Sequence, residues 1–292
     1  MVSQRACVWC GHRLAGSRAK EHVVPDWLLR HLNVGSETVE ATIAATADEN
    51  VVSVRRHMLD AMREGRVCEE CNCGWMSDLE QAAKPVLVPV IDGRRSVLTL
   101  SASERRLVAR WAAKTAFMLN SSSDQSDMGM HVPDDHFTLL RTHPDALPSG
   151  VGVFTAHGPG SRDFSWVQEN KWPQFFVTPI EDDRRHIARA YKIGLQFRRL
   201  LLCVAFWPHA EWTFVVASGV HVPLWPQLRF YFAYPAESCP GGVDSFEALR
   251  WFSALVAVVE FRVPMNSGLG QSVRSVTVGG GHAAGEKESP GQ

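Results

Sequence analysis

Two short cysteine pairs, Cys7-Val8-Trp9-Cys10 and Cys68-Glu69-Glu70-Cys71, decide how the first part of this chain folds. A Cys-x-x-Cys turn can present two thiolates to one metal ion, and four thiolates satisfy the tetrahedral preference of zinc. We therefore expect these four cysteines to hold one structural zinc ion. Because the ligands converge only in the folded chain, zinc binding and local folding become one event, worth about 10 to 16 kcal/mol in small zinc modules.

The segment between the pairs contains Glu21-His22 and then Pro25, and the second pair runs directly into Asn72. This arrangement resembles the HNH endonuclease family, over about residues 5–82 only. In that family the residue before the first histidine and the polar residue after the last cysteine bind one catalytic divalent cation, and the histidine is the general base. The resemblance therefore implies that Glu21 and Asn72 are the cation ligands and that His22 is the base.

The residue types suit this chemistry. Hydrolysis of a phosphodiester needs a base with a pKa near neutrality, which favours imidazole. It also needs a hard cation that spreads the charge on the phosphate, and oxygen ligands suit Mg²⁺ or Mn²⁺. The resemblance has departures, since the family more often has Asp where Glu21 stands. Asn50 is the candidate for its middle asparagine, ahead of Asn33.

Each of these residues also has a simpler structural interpretation. His22 is one of 12 histidines, and Glu21 can be an ordinary surface carboxylate. Asn72 can cap a helix, and Cys73 can compete for zinc or remain a free thiol. A single lysine within a helix, such as Lys114, is usually a surface residue, so we leave it out of the predicted site.

The charge balance gives no global attraction for nucleic acid. Lys and Arg number 30 against 31 acids, for a formal net charge of -1, so a phosphate-binding surface must be local. The sequence lacks a secretory signal and a membrane-spanning segment, and reduced thiols fit zinc better than disulfides, so we expect a cytoplasmic protein that does not bind membranes. The candidate phosphate contacts are arginines: Arg55, Arg56, Arg63, Arg66, Arg94, Arg95, Arg105 and Arg106.

The patterns predict an α+β protein: an N-terminal zinc-bound ββα-metal module with a helical extension, then a mainly antiparallel sheet with a packing helix. Helices are predicted at 26–31, 54–66, 72–83, from about 103, and at 246–261, with Pro85 and Pro89 ending the third. His131, His136 and His143 are interpreted as loop residues. Strands are predicted at 20–24, 151–155, 175–178, 187–195, 200–206, 212–217 and 228–234.

We divide the chain into an HNH-like zinc and nuclease module at 1–92 and a helical connector and loop at 93–130. A C-terminal α+β domain of unassigned role follows at 131–264, and the Gly- and Ser-rich residues 265–292 are expected to be disordered.

Three functions compete. The first is a metal-dependent endonuclease acting on nucleic acid, with DNA as the expected substrate. The second is a non-catalytic zinc-stabilised module that binds nucleic acid or a protein partner. The third is a zinc-stabilised enzyme of another class, with its site in the C-terminal half. The Glu-His dipeptide favours the first, because stability alone does not require it.

Overall fold

A computed structural model of the protein describes residues 6–14, 19–44, 51–122, 132–160, 162–170, 190–208, 212–217 and 221–225, with four short pieces at 233–234, 248–249, 252–253 and 257–260. The predicted strand at 175–178, Asn50, His131, most of the predicted helix at 246–261 and the C-terminal 265–292 lie outside the described residues.

The N-terminal part begins with short strands and one helix: β1 (Ala19–His22), α1 (Asp26–Leu32), β2 (Thr38–Ala44), β3 (Val51–Met58), a 3₁₀ turn at Leu59–Ala61 and β4 (Arg63–Val67). Strand β1 pairs antiparallel with β4, and His22 stands opposite Arg63 in the register. Strands β2 and β3 form a separate antiparallel pair. The long segment between β1 and β4 is therefore largely a hairpin, and its ends meet where β1 and β4 pair.

Helices follow: α2 (Glu69–Cys71), a π-helical turn at Asn72–Met76, α3 (Ser77–Ile91), a 3₁₀ turn at Val97–Thr99, α4 (Ala102–Ser122) and α5 (Asp134–Thr142). The start of α4 agrees with the prediction. The Glu104 amide donates to the Ser101 hydroxyl at 3.3 Å, and the Ser101 amide donates to the Glu104 carboxylate at 2.8 Å. This reciprocal pair is a capping box.

The C-terminal part contains a five-stranded antiparallel sheet in the order β10-β5-β8-β7-β6. Its strands are β5 (Val151–His157), β6 (Phe164–Asn170), β7 (Tyr191–Phe197), β8 (Leu200–Phe206) and β10 (Val222–Trp225). Strands β9 (Trp212–Ala217), β11 (Ala233–Tyr234) and β12 (Ala257–Glu260) form a second sheet. The mixture of helices and antiparallel sheet confirms the α+β class.

Helix α4 is the central element of the core. Every residue from Trp111 to Asn120 is buried, and the helix contacts α3 on one side and strands β5, β7, β8 and β10 on the other. Residues of β7 and β8 alternate between the two faces of the sheet. One face packs on the cluster that includes α4, and the other packs on Leu249 and Phe252. Among the described helices, none is long and apolar enough to cross a bilayer.

The predicted helix at 54–66 is wrong. These residues form the end of β3, a 3₁₀ turn and β4, with Leu59 buried and Met58 46% exposed. In a segment this short, the same spacing of apolar residues can fit the 3.6-residue period of a helix and the two-residue period of a strand. Strand β3 pairs with β2 and strand β4 pairs with β1, and these pairings supply the backbone hydrogen bonds of the extended segments. The pairing partners lie elsewhere in the chain, so the local pattern could not indicate them.

The helix after the second cysteine pair also differs at both ends. Pro85 and Pro89 do not end it, because α3 continues to Ile91. Burial of residues such as Leu87 and Ile91 offsets the roughly 3 kcal/mol that an interior proline costs. At the other end, the helical run begins at Glu69 with Cys68 as its N-cap and has a kink at Gly74, so Asn72 is not the N-capping residue.

Three further elements differ in the C-terminal part. His136 lies on helix α5, not in a loop, and its ring bonds the Tyr191 hydroxyl at 3.0 Å. Residues Ala257–Glu260 form strand β12 where a helix was expected, because they pair with β9. The sequence did not predict β6, whereas β8 and β9 have the predicted bounds.

The turn before β5 gives a test of this packing. Gly150 has φ +78°, and a Cβ there would lie 2.2 Å from the Trp207 carbonyl oxygen. We expect Gly150→Ala to lower the free energy of unfolding by at least about 2 kcal/mol, measured by denaturant titration. Gly65→Ala is the matched control, since its added Cβ meets nothing within 4 Å. Equal losses in both variants would contradict this account of the turn.

Candidate metal centre and adjoining cavity

The four predicted cysteines come together. Their sulfur atoms all lie within 4.8 Å of one another. Four sulfurs around one zinc at about 2.3 Å stand about 3.8 Å apart, and the Sγ atoms of Cys10 and Cys68 are 3.6 Å apart, too far for a disulfide. The cluster can therefore hold a metal such as zinc.

Local backbone geometry positions these sulfurs. In the first turn, the Cys7 amide donates to the His12 carbonyl and the Gly11 amide donates to the Cys7 carbonyl. In the second, the Cys71 amide donates to the Cys68 sulfur at 3.4 Å, at the start of α2. The Cys68 amide donates to the Cys7 sulfur at 3.4 Å and so joins the two turns.

The thiols of the cluster affect one another's ionisation. Burial, followed by the Cys68 thiol, raises the pKa of Cys71 well above its ordinary value. Burial also raises the pKa of Cys10. For Cys7 burial acts in the same direction, but the amides of Cys68, Trp9 and Cys10 together lower its pKa. The fit to a metal such as zinc rests on the four sulfur donors themselves, which suit its tetrahedral coordination.

Trp9, within the first cysteine turn, contacts aromatic rings from later parts of the chain. The Trp9 ring, fully buried, contacts Trp75 at 4.8 Å and Phe137 at 4.9 Å between centroids, both in edge-on geometry. Trp75 lies four residues after Cys71, in the turn that precedes α3, and Phe137 lies on α5. The cluster is thus part of the main core.

A separate open cavity of about 280 Å³ is lined by two of the predicted site residues, Glu21 and His22. Both come from the end of β1. The other walls come from α1 and α3, and the lining residues are Asp26, Trp27, Arg30, Ser77, Glu80, Gln81 and Lys84.

His22 is half-buried and faces a cation on the neighbouring strand. The Arg63 guanidinium donates to Nδ1 of the ring at 3.4 Å. Burial, then the charge of Arg63, lowers the pKa of His22 from its ordinary value. The ring is therefore neutral at pH 7 and able to accept a proton.

Sequence reasoning missed two residues next to Glu21. Lys114, which we expected at the surface, is 0% exposed. Its Nζ donates to Glu80 at 2.5 Å and to Glu21 at 3.3 Å. Burial raises the pKa of Glu21, although Lys114 acts in the opposite direction. One signal in the sequence could have identified Lys114. It lies in the mainly apolar stretch 111–119, which has no polar helix face where a lysine would meet solvent.

Neither Asn72 nor Asn33, the less favoured candidate for the middle asparagine, lines the cavity. Asn72 is half-buried in the π-helical turn immediately after Cys71, and its side chain does not line the cavity. Its role as a cation ligand stays a prediction. Asn33 ends α1 in the left-handed conformation, where its amide bonds the Arg30 carbonyl.

Among the candidate phosphate-binding arginines, Arg63 is the one that stands beside His22. Arg66 is held by Glu64 and Ser121, Arg94 by Asp92, and Arg95 by Glu104. Arg105 donates to the Leu100 carbonyl, and Arg106 pairs with Asp145. Arg55 and Arg56 lie on β3, in a stretch whose side chains are outside the description.

Comparison with models of known protein families, with curated proteins and with solved structures finds no match to this chain. The resemblance to HNH endonucleases therefore rests on the quoted sequence residues and stays a prediction.

The cysteine cluster predicts a specific response to loss of one ligand. In Cys68→Ser we expect bound zinc, measured by elemental analysis, to fall well below one ion per chain. The free energy of unfolding should fall with it by at least about 3 kcal/mol, because metal binding and folding are coupled. Cys73→Ser is the matched control, since Cys73 is exposed and outside the cluster. Unchanged zinc content in Cys68→Ser would rule out the four-thiolate site.

Proposed function

We propose that the protein is a metal-dependent, HNH-like endonuclease that hydrolyses phosphodiester bonds of nucleic acid, with DNA as the first substrate to test. The observation that carries the proposal is that His22, whose pKa is lowered, and Glu21 both line one open cavity. A base and an anionic cation ligand at one accessible position are the two groups that metal-assisted hydrolysis requires.

The order of elements supports this assignment. Strand β1, which presents His22, pairs with β4, and β4 leads directly into the second cysteine pair and the helical run from Glu69. Two antiparallel strands followed by a helix, with a thiolate zinc at their junction, is the arrangement that the ββα-metal resemblance implies. In this proposal the zinc is structural, and a separate Mg²⁺ or Mn²⁺ serves catalysis.

The chain's own groups have distinct roles in the proposed reaction. His22 accepts a proton from the attacking water, and its lowered pKa keeps the ring unprotonated at neutral pH. Glu21 is the proposed oxygen ligand of the catalytic cation at this cavity, and ligation by Asn72, which does not line the cavity, stays a prediction. When bound, such a cation neutralises charge on the phosphate and on the leaving oxygen.

Arg63 is the proposed phosphate contact. Its bond to Nδ1 of His22 is 3.4 Å long and exposed to solvent, whereas guanidinium and phosphate form shorter, charge-assisted pairs. A bound phosphate is therefore the better partner for Arg63. Its transfer to the phosphate uncovers Nδ1, the nitrogen that accepts the proton.

A second candidate function, a non-catalytic zinc-stabilised binding module, also has support. Most of the arginines proposed for phosphate binding are engaged with groups of the protein itself, and the formal net charge is -1. In that case partner binding would depend on shape and hydrogen bonds more than on charge.

Plasmid cleavage separates these two functions. With supercoiled plasmid and Mg²⁺ or Mn²⁺, we expect His22→Ala to reduce the nicking rate at least about 100-fold, the usual contribution of a general base. His143→Ala is the matched control, because His143 is exposed at the end of α5. Chelator should abolish nicking by the wild-type protein.

Equal nicking by wild type and His22→Ala would show that the assigned base is wrong. If the wild type leaves DNA and a single-stranded RNA substrate intact under all metal conditions, the binding-module function is favoured instead.

The acid side of the pH–rate profile gives an independent test. Neutral His22 is the active form, so activity falls as the pH drops through its pKa. Since Arg63 lowers that pKa, we expect Arg63→Met to move the acid limb to higher pH. Arg94→Met, which removes an exposed arginine paired with Asp92, should leave the limb in place. A limb that stays fixed or moves to lower pH in Arg63→Met would contradict this role of His22.

A further inference from the structure

A buried ammonium stands behind the proposed cation ligand. Lys114 is 0% exposed, and its Nζ contacts one carboxylate oxygen of Glu80 at 2.5 Å and one of Glu21 at 3.3 Å. The side chains of Glu21 and Glu80 are 14% and 16% exposed, so both remain open to the cavity. The three groups come from α4, β1 and α3.

The two contacts of Lys114 are unequal. An ammonium removed from water needs a carboxylate partner at close range, and the shorter contact is with Glu80. The contact with Glu21 lies at the long end of hydrogen-bond distances. Glu80 is therefore the main counter-charge of Lys114, and Glu21 is held only loosely. Together the three groups carry one more negative charge than positive.

We propose that Glu80 is a positioning residue that keeps the ammonium of Lys114 from neutralising Glu21, so that the Glu21 carboxylate stays available to a divalent cation. This inference rests on the proposed function, because it takes Glu21 as a cation ligand. Glu80 and Glu21 are the carboxylates that contact Lys114 in the described part of the chain. Without the charge of Glu80, the ammonium must turn to Glu21 and compete with the cation there.

Two neutral replacements distinguish this role from direct ligation by Glu80. Glu80→Gln keeps the shape of the side chain but removes its charge, and it leaves Lys114 with Glu21 as its charged partner. Glu80→Gln combined with Lys114→Met removes the whole buried pair, a change that proteins often tolerate when both partners are replaced together. The double variant therefore frees Glu21 again.

The measurement is Mn²⁺ affinity of the full-length, zinc-loaded protein, followed by electron paramagnetic resonance of free Mn²⁺. We expect Glu80→Gln to weaken Mn²⁺ binding at least tenfold and the double variant to return to within threefold of wild type. Glu37→Gln, at an exposed position away from the cavity, is the control for loss of a carboxylate. Zinc content and circular dichroism of each variant report whether it is folded.

Unchanged affinity in Glu80→Gln overturns the inference, and weak binding in both the single and the double variant shows that Glu80 is itself a ligand, which also overturns it. If Glu80→Gln alone fails to fold, the double variant decides: affinity near wild type supports the inference and loss of binding contradicts it. Glu21→Gln tests the proposed function separately. Wild-type affinity there contradicts the cation site, whereas weak binding there with normal affinity in Glu80→Gln contradicts only the role of Glu80.

Discussion

The convergence of four cysteine sulfurs within 4.8 Å of one another is the constraint on which the N-terminal structure depends. It joins the turn at Cys7 to the start of the helical run at Cys68, and it lies where β4 passes into that run. Because β1 pairs with β4, the same junction places His22 and Glu21 beside α3. Four sulfur donors at this spacing suit a metal such as zinc.

A second constraint is electrostatic and lies inside the core. Helix α4 is buried over a long stretch, and its one buried cation, Lys114, is directed at the carboxylates of Glu21 and Glu80. The same helix packs on the five-stranded sheet. Helix α4 therefore has two roles: it packs on the sheet of the C-terminal part, and it supplies the buried ammonium that contacts the carboxylates of the cavity.

Sequence patterns predicted the elements whose signals are local. The helix predicted from about 103 is α4, which begins at Ala102, and β8 and β9 have the bounds expected from their β-branched and aromatic runs. Predictions failed where partners distant in the chain decide the outcome. The extended form of β3 and β4 depends on pairing, the passage of α3 through Pro85 and Pro89 depends on burial, and strand β12 depends on β9.

The sequence by itself determined the α+β class, the four-cysteine cluster and the pairing of Glu21 with His22, because spacing and residue type are properties of the chain that require no partner. Only the tertiary structure decided that Lys114 contacts Glu21 and Glu80, that Arg63 faces His22, and that Asn72 is not among the residues lining the cavity. The physical reason is that burial and charge depend on which elements pack together. A lysine in a helix is exposed or buried depending on which other elements pack against that face of the helix. The local sequence does not specify those elements.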